Sequence, residues 1–183
     1  MKRLAALVLA ILFAVDVGAK DADTTDSIYQ LHAQLIDQAG QVRGLDLYRG
    51  SPVLITMFYG SCQATCPMII DTLRSTERGL SPEQRAKLRV LMISFDPERD
   101  TPQALAEIAA TRRIDTSRWT LATADASTVR DIAALLDIQY RKLPSGEFSH
   151  SAVITVLSER GEIEARSGKL GRADPELLAK LNR

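Results

Sequence analysis

The sequence predicts an α/β fold, a central mixed sheet flanked by helices, on three observations. Two nearly continuous apolar runs rich in β-branched residues, PVLITMFY at 52–59 and RVLMISF at 89–95, read as strands covered on both faces. Other segments carry apolar residues at helical spacing, two of them opened by an Asp or Thr cap followed by proline. The two patterns alternate without long Gly, Ser or Pro linkers, repeats or low-complexity tracts, so one domain accommodates them.

Taken in order, YQLHAQLID (29–37) and QVRGL (41–45) flank QAG as an added N-terminal β-hairpin, and the first buried strand follows at 52–59. Residues 67–79, PMIIDTLRSTERG, put Ile69, Ile70, Leu73 and Thr76 near one helical face, with Pro67 suited to the first turn. After the second buried strand, DTPQALAEIAATRR predicts a helix over about 101–113. WTLAT (119–123) is a short strand and ASTVRDIAALLDI (126–138) an amphipathic helix. SAVITVLSERGEIEARS holds two strand-like runs joined at ERG, and DPELLAKLN closes the chain as a helix capped by Asp174. This order is the one expected of a thioredoxin-like fold carrying an extra hairpin and helix.

The 183 residues include 45% hydrophobic ones, enough to bury a core without disulfide staples. The net charge is zero, and loss of Lys2, Arg3 and Asp16 with a leader leaves −1, which gives no electrostatic footprint for nucleic acid. That leader is predicted over 1–19: a basic MKR, the apolar run LAALVLAILFAV, and small residues before a cleavage point after Ala19. The run is short for a bilayer span, although a retained anchor is the alternative. It contains no cysteine for a lipoprotein anchor. A polar segment over 20–26 precedes the domain expected at 27–183. The domain is thereby assigned to the periplasm or another oxidising, extracytoplasmic compartment.

Both cysteines, Cys62 and Cys66, fall in GSCQATCP, where a central strand hands over to a helix. Open α/β sheets gather reactive groups at such loops, and N–H groups at a helix start favour thiolates. A spacing of four lets the side chains converge for disulfide closure or joint metal ligation. A permanent staple is the weaker reading, because closing so small a loop removes only about 2 kcal/mol of unfolded-chain freedom. Metal binding and redox exchange both remain. A third ligand would separate them, and there are two histidines to supply it. His32 lies in an alternating run and reads as a surface position. His150, in GEFSHSAVITVL, opens a buried strand after a glycine turn, where a hydrogen-bonded structural role competes with ligation.

FYGSCQATCP, MISFDPERDTPQAL and SHSAVITVLSERGEI, in this order and at these separations, resemble the Sco/SenC family of copper proteins over most of residues 27–183. The resemblance implies a thioredoxin-like fold and copper held by Cys62, Cys66 and His150, as Cu(I) with Cu(II) as a second state. It further implies a metallochaperone assisting assembly of the dinuclear copper centre of cytochrome c oxidase. Its partners would be the copper-bearing oxidase subunit and a periplasmic copper donor, with membrane contact only through an uncleaved leader or the oxidase. The alternative is a thiol:disulfide oxidoreductase acting on that subunit or another exported protein, with Cys62 as attacking thiolate and Cys66 resolving. A copper or redox sensor is a third. Gln63 stands where the family often has proline and Ser149 where it often has aspartate, positions that bear on the loop and on imidazole orientation.

The DPERDTP segment could line the site as an acidic rim. The favoured reading has Asp96 and Pro97 ending a strand while Asp100 and Thr101 open a helix. Met57, Met68 and Met92 have apolar neighbours and are expected in the core, as is Trp119.

Overall fold

The structure, a computed structural model, describes residues 26–62 and 65–183. The leader predicted over 1–19, all but the last residue of the 20–26 segment, and Gln63 lie outside the described residues.

The chain runs through β1 (Gln34–Asp37), β2 (Val42–Gly44), β3 (Val53–Phe58), α1 (Thr65–Arg78), α2 (Pro82–Lys87), β4 (Arg89–Ser94) and α3 (Pro102–Thr111). It continues through β5 (Trp119–Thr123), α4 (Ala126–Leu135), β6 (Tyr140–Lys142), β7 (Phe148–His150), β8 (Ile154–Leu157), β9 (Ile163–Ser167) and α5 (Pro175–Leu181). Seven strands form one mixed sheet in the order β2-β1-β5-β4-β3-β8-β9. β3, β4 and β5 are parallel, and the flanking pairs are antiparallel. All six residues of β3 are buried, as the unbroken apolar run requires of a strand covered on both faces. The predicted N-terminal hairpin is β1–β2, with Gly40 at φ 74° in its turn.

Two crossovers, β3-α1-β4 and β4-α3-β5, step the same way across the sheet. Right-handed connections therefore put α1 and α3 on one face. Arg74 of α1 accordingly donates to the carbonyl of Arg112 at the end of α3. α5 joins that face through its preceding loop, where the N–H groups of Gly171 and Ala173 donate to Thr72 and Ser75 of α1.

Several details differ from the sequence reading. α1 begins at Thr65 and so takes Cys66 into its first turn. A short helix, α2, went unread; it is capped by a reciprocal Ser81–Gln84 box with Pro82 at its start. The first strand starts only at Gln34, because Ile28–Gln30 form a 3-10 turn capped by Ser27. Met57 and Met92 are buried as expected, whereas Met68 is 47% exposed on the outer side of α1. Most consequential is a separate two-stranded ladder, β6–β7, pairing Tyr140 with His150 and Lys142 with Phe148. His150 thus ends a small hairpin and does not open β8.

Candidate metal centre

β3 delivers the chain to Tyr59, and the turn after it sets the first cysteine. The Gly60 N–H donates to Asp100 Oδ2 at 2.8 Å. A Cβ on Gly60 would collide with that carboxylate and lie 2.8 Å from Ile108 Cδ1, so a side chain there would have to displace one or both. The buried Asp100 carboxylate also accepts from the Ser94 hydroxyl. Burial pushes its carboxyl above the ordinary range, against the pull of those two hydrogen bonds. Thr101 accepts from the Ala104 N–H and caps α3. The DPERDTP segment therefore ends a strand and opens a helix, as favoured from sequence, and in addition ties down the cysteine loop.

The Cys62 N–H donates to the Tyr59 carbonyl at 3.3 Å. At the head of α1 the Cys66 N–H points at Cys62 Sγ, 3.4 Å away, an arrangement that favours negative charge on that sulfur. The Cys66 thiol turns to the Tyr59 carbonyl at 3.4 Å. Neither cysteine is in a disulfide, and both are buried. Burial pushes the Cys66 thiol well above its ordinary range, and Cys62 beside it acts in the same direction.

His150 enters from β7, half-buried among aromatic rings. Its centroid lies 4.9 Å from that of Phe95 and 5.7 Å from that of Tyr59, which meets it edge-on. Phe148 and Tyr140 complete the cluster around Phe95. His150 Nδ1 sits 3.1 Å from the Ser151 carbonyl oxygen. A carbonyl can only accept, so the neutral ring carries its proton on Nδ1 and offers the Nε2 lone pair.

One ligand atom from each of Cys62, Cys66 and His150 lies within 4.8 Å of the other two. Two metal–sulfur bonds of about 2.3 Å can span about 4.6 Å, so one ion bridges this set with little adjustment. The donors are two soft sulfurs and an imidazole, a set suited to copper. The three residues singled out from the sequence are brought together. His32 is not; it is exposed ahead of β1 and outside this group.

Two openings reach the sulfurs. One, of about 450 Å³, is lined by Ser61, Cys62, Thr65, Glu147 and His150. The other, of about 430 Å³, lies between α1 and α3 and is lined by Cys62, Cys66, Pro67, Ile70 and Ile108 among others. Tyr59 lines both, its hydroxyl donating to Glu147 Oε2 at 2.9 Å. Burial and that carboxylate push its hydroxyl well above the usual phenol range. Sequence reading missed Tyr59, Phe95, Glu147 and the Ser151 carbonyl. Tyr140 and Phe148 flanking a Pro-Ser-Gly turn were a readable hairpin signal.

A thioredoxin-like sheet with two thiols at a helix start and an imidazole facing them defines a class of thiol and soft-metal proteins. The model of the SCO1/SenC family matches residues 21–183, and the chain belongs to that family. An SCO2-like protein of Rickettsia conorii is 32% identical over 74 residues, 40% of this chain and 36% of that protein. The matched stretch thus spans about a third of that relative. Among solved structures, Arabidopsis thaliana ScoI with copper bound has a TM-score of 0.69 at 19% identity, covering 81% of this chain and 90% of that one. BsSco, described as a Sco-family cytochrome c oxidase assembly protein with a disulfide switch, has a TM-score of 0.67 at 20% identity, covering 81% and 88%. At these identities the two structures speak for the fold. Among the described residues, no helix is long and apolar enough to cross a membrane.

Proposed function

We propose that the chain is an extracytoplasmic copper carrier that holds Cu(I) at Cys62, Cys66 and His150. Its recipient is the copper-bearing subunit of cytochrome c oxidase, where it assists assembly of the dinuclear centre. The observation that carries this reading is the convergence of three donors, from the β3–α1 turn, α1 and β7, within 4.8 Å, with Nε2 as the available nitrogen. Thiolates are soft donors matched to Cu(I), and a low-coordinate site open on two sides suits transfer by ligand exchange. Cu(II), which prefers more nitrogen and oxygen ligands in a tetragonal arrangement, is the poorer fit. The two thiols must lose their protons and the imidazole must be neutral before all three can ligate, so affinity falls with falling pH. The Cys66 N–H steadies the Cys62 thiolate, and the aromatic cluster keeps water from the far side of the imidazole. X-ray absorption on the reduced, copper-loaded protein is expected to show two sulfurs and one nitrogen. A site without sulfur scattering, or one that survives in the Cys62→Ser, Cys66→Ser double variant, would overturn it.

A second reading, thiol:disulfide exchange, draws support from the inequality of the two thiols. Cys62 receives a helix N–H, while burial raises the pKa of the Cys66 thiol. Attack by the Cys62 thiolate on a target disulfide would form a mixed disulfide and release one target thiolate. Cys66 would then give up its proton and attack Cys62 Sγ, leaving the target reduced by two electrons and this pair as a disulfide. The two roles are separable through His150, which only the first requires.

A further inference from the structure

His150 reaches the cysteines on a hairpin with no ladder to the seven-stranded sheet, so its position depends on whatever pins β6–β7. A hairpin of three paired positions is too small to hold its own orientation. At its base, the Ser151 N–H donates to the Gln139 carbonyl at 2.9 Å, and the Gln139 N–H to Ser151 Oγ at 3.0 Å. Those bonds act as a hinge line and leave rotation about it open. The inner face rests on the aromatic cluster, which is weakly directional, and Glu147 accepts one hydrogen bond from the Tyr59 hydroxyl at 2.9 Å.

The tip is held differently. Leu143 and Glu147 close a turn through Gly146, at φ 85°, and the Gly146 carbonyl accepts from Arg99 Nη2 at 2.6 Å. Through Nε, the same guanidinium donates to the carboxylate of Asp96, which is buried where β4 ends. One planar group thus spans from the main sheet to the hairpin tip. A fork of this kind carries two directed, charge-assisted hydrogen bonds at once. The neighbouring Lys142–Glu98 pair, 2.6 Å apart, is solvent-exposed on both sides and of the kind that contributes little.

We propose that Arg99, braced by Asp96, is a positioning residue for His150: it fixes the tip of the β6–β7 hairpin and thereby keeps the imidazole over the cysteine pair. The role rests on the copper reading of that site. It gives the two central residues of DPERDTP distinct fates, Glu98 as a surface partner and Arg99 as a strut.

Arg99→Lys is the decisive variant, because it keeps a cation beside the buried Asp96 but removes the planar fork that reaches Gly146. Competition with a Cu(I) chelator is expected to show about a 10- to 100-fold loss of affinity, the range seen when a ligand loses its supporting shell. In a His150→Ala background the same substitution is expected to change affinity by no more than about twofold, as for groups that act through one another. Hydrogen exchange on the metal-free protein is expected to quicken at β6–β7 amides and not at β3 or β4. The pair Asp96→Asn, Arg99→Ala removes the strut without stranding a buried charge, and is expected to behave as Arg99→Lys does. Wild-type protein that fails to bind copper through Cys62, Cys66 and His150 would overturn the metal reading and this role with it. Normal wild-type binding with unchanged affinity in both strut variants would overturn the positioning role alone. An equal loss of affinity with and without His150 would do the same.

Discussion

The carbonyl of Ser151, 3.1 Å from His150 Nδ1, fixes which nitrogen of the ring is available. The partner is backbone, so no side-chain substitution at position 151 removes it. Ser149, the residue before His150, is exposed, so the orienting contact comes from the backbone. His150→Ala is therefore expected to weaken Cu(I) retention and oxidase assembly while leaving both thiols and much of their exchange chemistry intact. Copper affinity, thiol exchange with an apo-oxidase peptide and oxidase activity in cells need to be followed together. A variant that lost copper yet supported normal assembly at limiting copper would promote the oxidoreductase reading.

Copper should act as a stabilising ligand. The three donors meet only in the folded chain, so Cu(I) at 100 times its dissociation constant is expected to add about 2.7 kcal/mol. Oxidation of Cys62 and Cys66 to a disulfide should remove most of that gain. Thermal unfolding of the reduced and oxidised forms, each with and without copper, checks this; equal shifts would indicate binding elsewhere.

Gly60→Ala is expected to cost about 1–3 kcal/mol, as overpacking against well-fixed neighbours does. The added methyl meets Asp100 and Ile108, and relief would have to come from the turn that leads to Cys62. Denaturant unfolding should show the loss, and the reactivity of Cys62 toward a disulfide probe should change with it.

The acid limb of stability should depend on Asp174. Its carboxylate caps α5 through the Glu176 N–H and accepts from the Ser167 hydroxyl, and these bonds, the Ser167 bond foremost, hold its pKa below the usual carboxylate value. The unfolded chain binds this proton more readily than the folded one. The contribution is thus present above the ordinary aspartate pKa and lost as pH falls through the folded value. Asp174→Ala is expected to cost about 1 kcal/mol at neutral pH, as loss of a helix cap does. It should also flatten the fall of the melting midpoint below about pH 4.

The main sheet was legible because burial on both faces writes itself into Val53–Phe58 and Arg89–Ser94 as nearly continuous apolar runs. Capped helices such as α3 and α5 were legible because Thr101–Pro102 and Asp174–Pro175 announce their starts. β6 and β7 escaped because three-residue strands with exposed or half-exposed residues show no periodicity, and because GEFSHSAVIT reads smoothly into β8. The ligand candidates could be named from the sequence, but not their support. Tyr59, Phe95 and Arg99 act through contacts with residues distant along the chain, and no local pattern encodes such contacts. Met68 was misjudged because apolar neighbours in sequence do not say which way a helix turns a given position.

Cys62 and His150 stand 88 positions apart, and β4, α3, β5 and α4 all intervene. At about 5–20 residues per second, synthesis leaves roughly 5–20 s in which the cysteines exist and the histidine does not. During that interval the pair is a bare dithiol without its imidazole. The order of the polypeptide thus completes the three-donor cluster only once β7 has been added.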